Sequence, residues 1–304
     1  RLMMYDLTAD DDAVWGLGLG CNGAIEVFIE PIRPDDILWS AAKDALGRDQ
    51  ALVVATVVEG TAAIPAGRRI LIGPGGRRGT LGDPAADAEL ECLAREASIG
   101  LHSRTHSVNS SAGALRLFVE VLHPPERLVV CGAGHDAIPI VRFASQLGWR
   151  VLVVDRRDAF LNYERFPGAT GFVRTEFPEA AAAAPTDAHT YVLIMTHNYI
   201  HDRHLLRAFL PTPAAYLGML GPRARTEKIL RELEADGVRI DARRRAQIFG
   251  PVGLDIGSET PDEIAIAALG EILAVARGRE GGFLRTRGAP IHTPTQEPTP
   301  AREA

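Results

Sequence analysis

The stretch that most constrains this chain is LVVCGAGHDAIPIVRFASQLG, residues 128 to 148, in which a short apolar run meets two spaced glycines and then an amphipathic repeat. Gly132, Gly134 and Ala137 fit the pattern GxGxx[G/A] between a strand and a helix, the one place where that pattern has physical meaning. The first glycine permits the tight turn and the second lets a pyrophosphate approach the backbone. The small third residue lets the helix pack on the strand. VLVVD is the next strand, and its terminal Asp155 stands 23 residues after Gly132, close to the spacing of a ribose-binding carboxylate.

From Arg127 onward, strands alternate with helices: TYVLIM, DRHLLRAFL, AAYLGML, RARTEKILRELEADG and PDEIAIAALGEILAVARG. That alternation specifies an α/β fold with a Rossmann-like, doubly wound parallel sheet whose ligands sit at the carboxyl ends of the strands. Thr260, Pro261 and Glu263 form a helix start with a capping box. Before residue 125 the pattern differs. RLMMYDLT, AIEVFIEPI, ALVVATVVE, RRILIG and ALRLFVEVL read as strands, while DILWSAAKDAL and PAADAELECLAREA read as helices. The expectation is a smaller α/β (α+β) amino-terminal domain over 1–125, bounded by the prolines after His123. The Rossmann-like domain follows over 126–292, and a polar, proline-rich disordered tail over 293–304.

Composition narrows the function. A formal charge of -6 argues against nucleic acid, which demands a basic face, and the run Arg243 to Arg245 reads as a solvated surface. Cys21, Cys92 and Cys131 lie 71 and 39 residues apart, which suits neither a disulfide framework nor a CxxC metal site. A reducing cytoplasm is the expected compartment. No apolar run is long enough for a membrane helix, and the start is no signal peptide. The chain begins with Arg1, so residues upstream of it are expected.

Four loops are expected to share the carboxyl rim of the sheet. His135 and Asp136 occupy the glycine turn, where the imidazole either donates to a phosphate or caps the turn. Arg156 and Arg157 follow Asp155, so NAD against NADP stays open. His197, in MTHNYIHD, faces the same ligand as His135, or its neighbours Thr196, Asn198 and Asp202 simply cap a helix. In GMLGPRAR, Gly221 supplies a turn and Arg223 a planar fork for phosphate. In GPVGLDIGSET, Gly253 and Asp255 precede the capped helix as candidate contacts. In the first domain, Cys21 within GLGLGCNG is the one cysteine whose setting suits a reactive thiolate or a metal contact, with a structural turn cysteine as the alternative. Cys92 and Cys131 read as inert small hydrophobes.

GLGCNGAIEVFIEP, VVCGAGHDAIPIVRFASQLGWRVLVVDRR, ERFPGA, MTHNYIHD, YLGMLGPRARTEKIL and GPVGLDIGSETPDEIAIAALGEILAV together resemble the XdhC/CoxI family of xanthine dehydrogenase accessory factors. The resemblance runs in order over roughly residues 15 to 292. It implies an accessory protein rather than an enzyme: a chaperone for molybdenum cofactor (molybdopterin) that serves its sulfuration and its insertion into xanthine dehydrogenase or a related hydroxylase. The implied partners are the molybdenum hydroxylase large subunit, a cysteine desulfurase and a second copy of the chain in a homodimer. The rim would hold a pterin phosphate or a dinucleotide form of the cofactor, and Cys21 would lie near the metal. A segment resembling SGGC, usual earlier in the family, would stand upstream of Arg1, and Ala289 stands where a glycine is frequent. Read from the residues alone, an NAD(P)-dependent oxidoreductase with His135 or His197 as acid or base stays open, as does an interaction scaffold.

Overall fold

The computed structural model describes residues 1–6, 24–31, 33–100 and 103–288, and the chain divides into two compact units between Pro124 and Pro125. Among the described residues no helix is long and apolar enough to cross a membrane.

The first unit contains a two-stranded antiparallel ribbon, β1 (Leu2–Asp6) and β2 (Ala24–Phe28), and a five-stranded antiparallel sheet. The sheet is made of β3 (Leu52–Glu59), β4 (Arg69–Gly73), β5 (Gly76–Arg78), β6 (Arg104–Ser110) and β7 (Gly113–Leu122), in the order β5-β4-β3-β7-β6. Helix α1 (Ile37–Gly47) starts where Asp36 accepts from the Leu38 amide, at 2.9 Å. Helix α2 (Pro84–Gly100) starts where Asp83 accepts from the amides of Ala85 and Ala86. Alternation along β3 and β7 sends Val53, Ala55, Val57, Leu115, Leu117, Val119 and Val121 to one face, where they pack with Ala86, Leu90 and Ala94 of α2. On the opposite face Leu52, Val54 and Leu71 pack against Ala41 and Ala45 of α1.

β5 and β6 do not announce themselves in the sequence. RTHSVNS is too polar to read as a strand, yet it pairs with β7 from Arg104↔Val119 to Ser110↔Gly113. The strongly alternating β7 imposes the register, and an edge strand with one covered face tolerates polar residues.

The second unit is a six-stranded, wholly parallel sheet. Its strands are β8 (Arg127–Cys131), β9 (Arg150–Asp155), β10 (Gly171–Arg174), β11 (Thr190–Ile194), β12 (Tyr216–Met219) and β13 (Ile248–Phe249), ordered β10-β9-β8-β11-β12-β13. Counted within the unit this is the doubly wound dinucleotide-binding order, with the direction of winding reversing between β8 and β11. Every residue of β8 and of β11 is buried, as expected for strands covered on both faces. Leu128 and Val130 enter the layer made by α3 (Ala137–Gln146) and α8 (Pro261–Ala276). Val129 and Cys131 enter the layer made by α4 (Ala180–Ala183), α5 (Tyr199–Phe209) and α6 (Arg223–Ala235). Burial there pushes the Cys131 thiol far up, so it stays neutral. Cys92, by contrast, is exposed on α2. Helix α8 carries the expected capping box of Thr260 and Glu263.

The arginine run departs from the expected solvated surface. Arg243 to Arg245 close the short helix α7 (Ala242–Arg245), but Arg244 is not a solvated charge. Its guanidinium donates to the carbonyls of Phe209 (2.7 Å), Leu210 (2.8 Å) and Ala214 (2.6 Å), closing the end of α5 and the approach to β12. Burial lowers its pKa, although Asp241 pulls the other way. A planar fork of donors on a long stem is what three converging carbonyls require, and composition cannot show which arginine of a run meets them. Arg244→Ala should lower stability in urea denaturation by about 2 kcal/mol, the scale of losing charge-assisted hydrogen bonds, while Arg243→Ala should change it far less.

A second prediction concerns acid. Asp83 also accepts from the Ser111 hydroxyl and amide, each at 2.6 Å. These bonds, the hydroxyl's foremost, lower its pKa from 3.8 to about 2. A carboxyl depressed on folding contributes stability that is present above its unfolded pKa and lost as pH falls through the folded value. Asp83→Asn should therefore flatten the fall in stability between the unfolded value of 3.8 and the folded value of about 2, measured by denaturant titration across that range.

Candidate functional site

Because all six strands run parallel, the loops after β8, β9, β11, β12 and β13 emerge on one edge of the sheet. The site is the part of that edge where the winding reverses, between the turn after β8 and the loop after β11. Gly132 sits at φ +114°, and a Cβ there would lie 2.8 Å from the Met195 carbonyl oxygen. Only glycine permits this close crossing of the two loops. At Gly134 a Cβ would lie 2.6 Å from Oδ1 of Asp136, so the second glycine leaves room for that carboxylate.

The backbone beyond is an anion cradle in form. The Asp136 side chain does not cap α3, and Pro139 in the first turn has no N–H. Among the described residues nothing accepts from the amides of Gly134, His135 and Asp136. Open amides at a helix N-terminus favour an anion, through directed N–H groups and the helix dipole together. His135 is exposed beside them.

Asp155 stands at the end of β9 but faces inward, with 1% of its surface exposed. It accepts from the Ala133 amide at 2.8 Å, and from the Arg157 amide (2.9 Å), Nε (2.9 Å) and a terminal nitrogen (2.8 Å). Burial pushes this carboxyl up, but the Arg157 guanidinium and the two amides outweigh it and hold its pKa below the ordinary value. Arg157 lies over the Phe160 ring at 4.1 Å, so it is fixed on both sides, while Arg156 is exposed. With its oxygens engaged in this way, Asp155 closes the glycine turn onto β9 rather than presenting acceptors to solvent.

His197 stands across the crevice from that turn. It is a non-glycine residue at φ +57°, and its Nε2 lies 2.6 Å from Oδ2 of Asp136. The structure thus places His197 and the glycine turn together, as the sequence led us to expect, but joins the histidine to Asp136 rather than to His135. The loop around it is held from below. Fully buried Asp202 accepts from the Thr196 amide at 3.2 Å and from the Thr196 hydroxyl, and pairs with Arg225. Asn198 caps α5 through the amides of Ile200 and His201.

The remaining candidates are less closely drawn in. Gly221, at φ +117°, makes the turn into α6 and lies against the Arg225 side chain. Arg223 points outward, 80% exposed, and pairs with Glu227 one turn on at 2.7 Å. Gly253, at φ +112°, packs on Ala267 of α8 and donates to Glu271, while Asp255 is exposed. Cys21 lies outside the described residues. Among the described residues no group of three or more histidine, cysteine or carboxylate side chains is placed to hold a metal ion.

Sequence reasoning missed two contributors. Arg165 reaches the Ala133 carbonyl at 3.2 Å and lies over Phe160, bracing the glycine turn from the β10 side. Arg225, two residues after the arginine singled out, is the one that turns inward to the buried carboxylate. Neither carries a local signal, because both act across long sequence separations. The position of Arg225 two residues past the helix start did separate it from Arg223 by about half a turn.

A family model for the XdhC Rossmann domain matches residues 128–272. A protein of Bacillus subtilis (strain 168) described as a probable xanthine dehydrogenase subunit is 30% identical over 277 residues, covering 90% of this chain and 75% of that protein. The Escherichia coli (strain K12) protein YqeB is 38% identical over 173 residues, covering 57% of this chain and 31% of its own. A crystal structure of a xanthine dehydrogenase from Bacillus halodurans aligns with a TM-score of 0.48 and 22% identity, over 78% of this chain and 95% of that one. By its relatives and by its second unit, the chain belongs to the XdhC/CoxI family of xanthine dehydrogenase accessory factors.

Proposed function

We propose that this protein binds molybdenum cofactor and keeps it available for sulfuration by a cysteine desulfurase and for delivery to the large subunit of a molybdenum hydroxylase. Kinship over 90% of the chain with a probable xanthine dehydrogenase subunit ties the protein to that class of enzyme. The observation that carries the reading further is the rim itself. Its open amides suit a phosphate, while the carboxylate that would receive a nicotinamide dinucleotide's ribose is already given to Ala133 and Arg157.

The residues present fit the anionic end of such a cofactor. Gly132 and Gly134 keep the cradle clear of side chains, and the amides of Gly134 to Asp136 supply donors. Exposed His135 stands beside them as a further donor, and His197, its Nε2 held at Asp136, borders the cradle. When bound, the cofactor supplies the molybdenum centre, and in this reading Cys21 is its protein contact, soft thiolate suiting a sulfurated metal. Arg223, Gly221, Gly253 and Asp255 border the same rim and take the more distant part of the ligand. The protein works in the cytoplasm, as a homodimer, and as a carrier rather than an enzyme. A nicotinamide-dependent oxidoreductase is the weaker alternative, because it asks of Asp155 lone pairs already in use.

An anaerobic titration of molybdenum cofactor into the purified protein tests this, with retained molybdenum and pterin measured after desalting. The expected outcome is near-stoichiometric retention, weakened in Cys21→Ala and in Gly134→Val. Absence of retention by the folded protein would sink the proposal, and saturable NADH or NADPH binding in its place would favour the oxidoreductase.

A further inference from the structure

The space above the second glycine of the turn decides what a sheet of this kind can hold. In a dinucleotide-binding sheet that residue lacks a side chain so that a diphosphate, joined to a group at each end, can pass close over the backbone. Here the space above Gly134 already holds a side chain of the protein. Asp136, two residues on, folds back so that its Oδ1 lies 2.6 Å from where a Cβ on Gly134 would stand. Its other oxygen, Oδ2, meets Nε2 of His197 at 2.6 Å. The same carboxylate does not cap α3, so it stands beside the open amides without using them.

The carboxylate is kept there from across the crevice. The Asp136 side chain is 18% exposed, and His197 reaches it from the loop after β11. That loop is not free to withdraw, because Thr196 is bound to buried Asp202, Asp202 is paired with Arg225, and Asn198 caps α5. The consequence depends on the shape of the anion. A single terminal phosphate meets the amides of Gly134 to Asp136 end-on, from beyond the start of α3, and needs no room over Gly134. A diphosphate between two groups has to run across the turn, which brings its charge onto that of Asp136. Like charges set against each other in a site oppose binding and select against the ligand that requires them. The sugar beyond such a diphosphate would also find Asp155 engaged by Ala133 and Arg157.

From this we infer that Asp136 sets the specificity of the rim: it admits a phosphate monoester and turns away a diphosphate joined to a group at each end. The inference rests on the anion site proposed above and names the form of phosphate that site takes. His197 is a positioning residue, acting through the carboxylate it holds. Gly134 has a separate part. Unlike Gly132 it does not stand in the left-handed region, and the only atoms a Cβ there would meet belong to the Asp136 side chain. An alanine at 134 is therefore compatible with the backbone and competes only with the carboxylate for the space above the turn.

Calorimetric titration of the purified protein with phenyl phosphate, a monoester, and with ADP-ribose, a diphosphate joined at both ends, tests the inference without the metal. The unaltered protein should bind phenyl phosphate the more tightly. Asp136→Ala should tighten ADP-ribose binding by about tenfold or more, the scale of relieving one like-charge contact, and should change phenyl phosphate binding less. His197→Ala, which releases the carboxylate without removing it, should give a smaller gain for ADP-ribose. Adding Gly134→Ala to Asp136→Ala should cancel the gain, because a methyl group then stands where the carboxylate stood. That cancellation separates an obstruction over Gly134 from a general loss of negative charge. Circular dichroism of each variant confirms folding. ADP-ribose binding to the unaltered protein as tightly as phenyl phosphate, or no selective gain for ADP-ribose in Asp136→Ala, would overturn the inference even if molybdenum cofactor is retained. Absence of phenyl phosphate binding would overturn the anion site on which the inference rests. Retention of molybdenum cofactor failing while the discrimination holds would overturn the proposed function and leave the role of Asp136 standing.

Discussion

The bond from the Ala133 amide to the Asp155 carboxylate, 2.8 Å long, is the contact on which the second unit's rim depends. It ties the residue between the two glycines to the end of the neighbouring strand, so the turn after β8 cannot relax outward. Once that amide is fixed, Gly132 must cross close to Met195, and the amides of Gly134 to Asp136 are left facing the crevice. The same bond explains the company Asp155 keeps. A buried carboxylate needs a compensating charge, and Arg157 provides it from two residues away, with Phe160 beneath the guanidinium.

This arrangement separates a fold from a ligand. Strand order, glycine spacing and the position of an acidic residue at the end of β9 are those of a dinucleotide-binding sheet. The direction in which that acidic side chain points is not determined by any of them. A ribose-binding carboxylate keeps lone pairs toward solvent, whereas here they are consumed by the protein's own donors. Open amides therefore persist at the helix start, while the carboxylate beside them is taken up by arginine. Such a rim suits a phosphorylated ligand in general better than a nicotinamide dinucleotide in particular.

Legibility in the sequence followed range. Helix starts set by residues three apart, as with Thr260 and Glu263, and strands with strong apolar character, as with β8 and β11, are fixed by local chemistry and could be read directly. The polar strand β6 and the two-residue β13 could not, because their register is imposed by partners. The site divides in the same way. The glycine turn and the His197 loop were visible as strand-then-polar segments, and parallel topology brings them to one edge. The inward turn of Asp155, the buried pair of Asp202 and Arg225, and the three carbonyls gathered by Arg244 depend on contacts between 2 and 35 residues apart in the chain. Side-chain direction at such positions is decided by tertiary packing, to which composition and periodicity are blind.

His197 shows what this packing costs. A histidine at φ +57° is held in a region that side-chain-bearing residues seldom occupy. The loop tolerates it because Thr196 on one side is bound to buried Asp202 and Asn198 on the other caps α5. The strain delivers the imidazole to the Asp136 carboxylate, beside the open amides of the glycine turn. Neither loop alone accounts for the pair. The two meet at the mouth of the crevice, and the histidine reaches the carboxylate because a buried aspartate and arginine pin the strand end from which it departs.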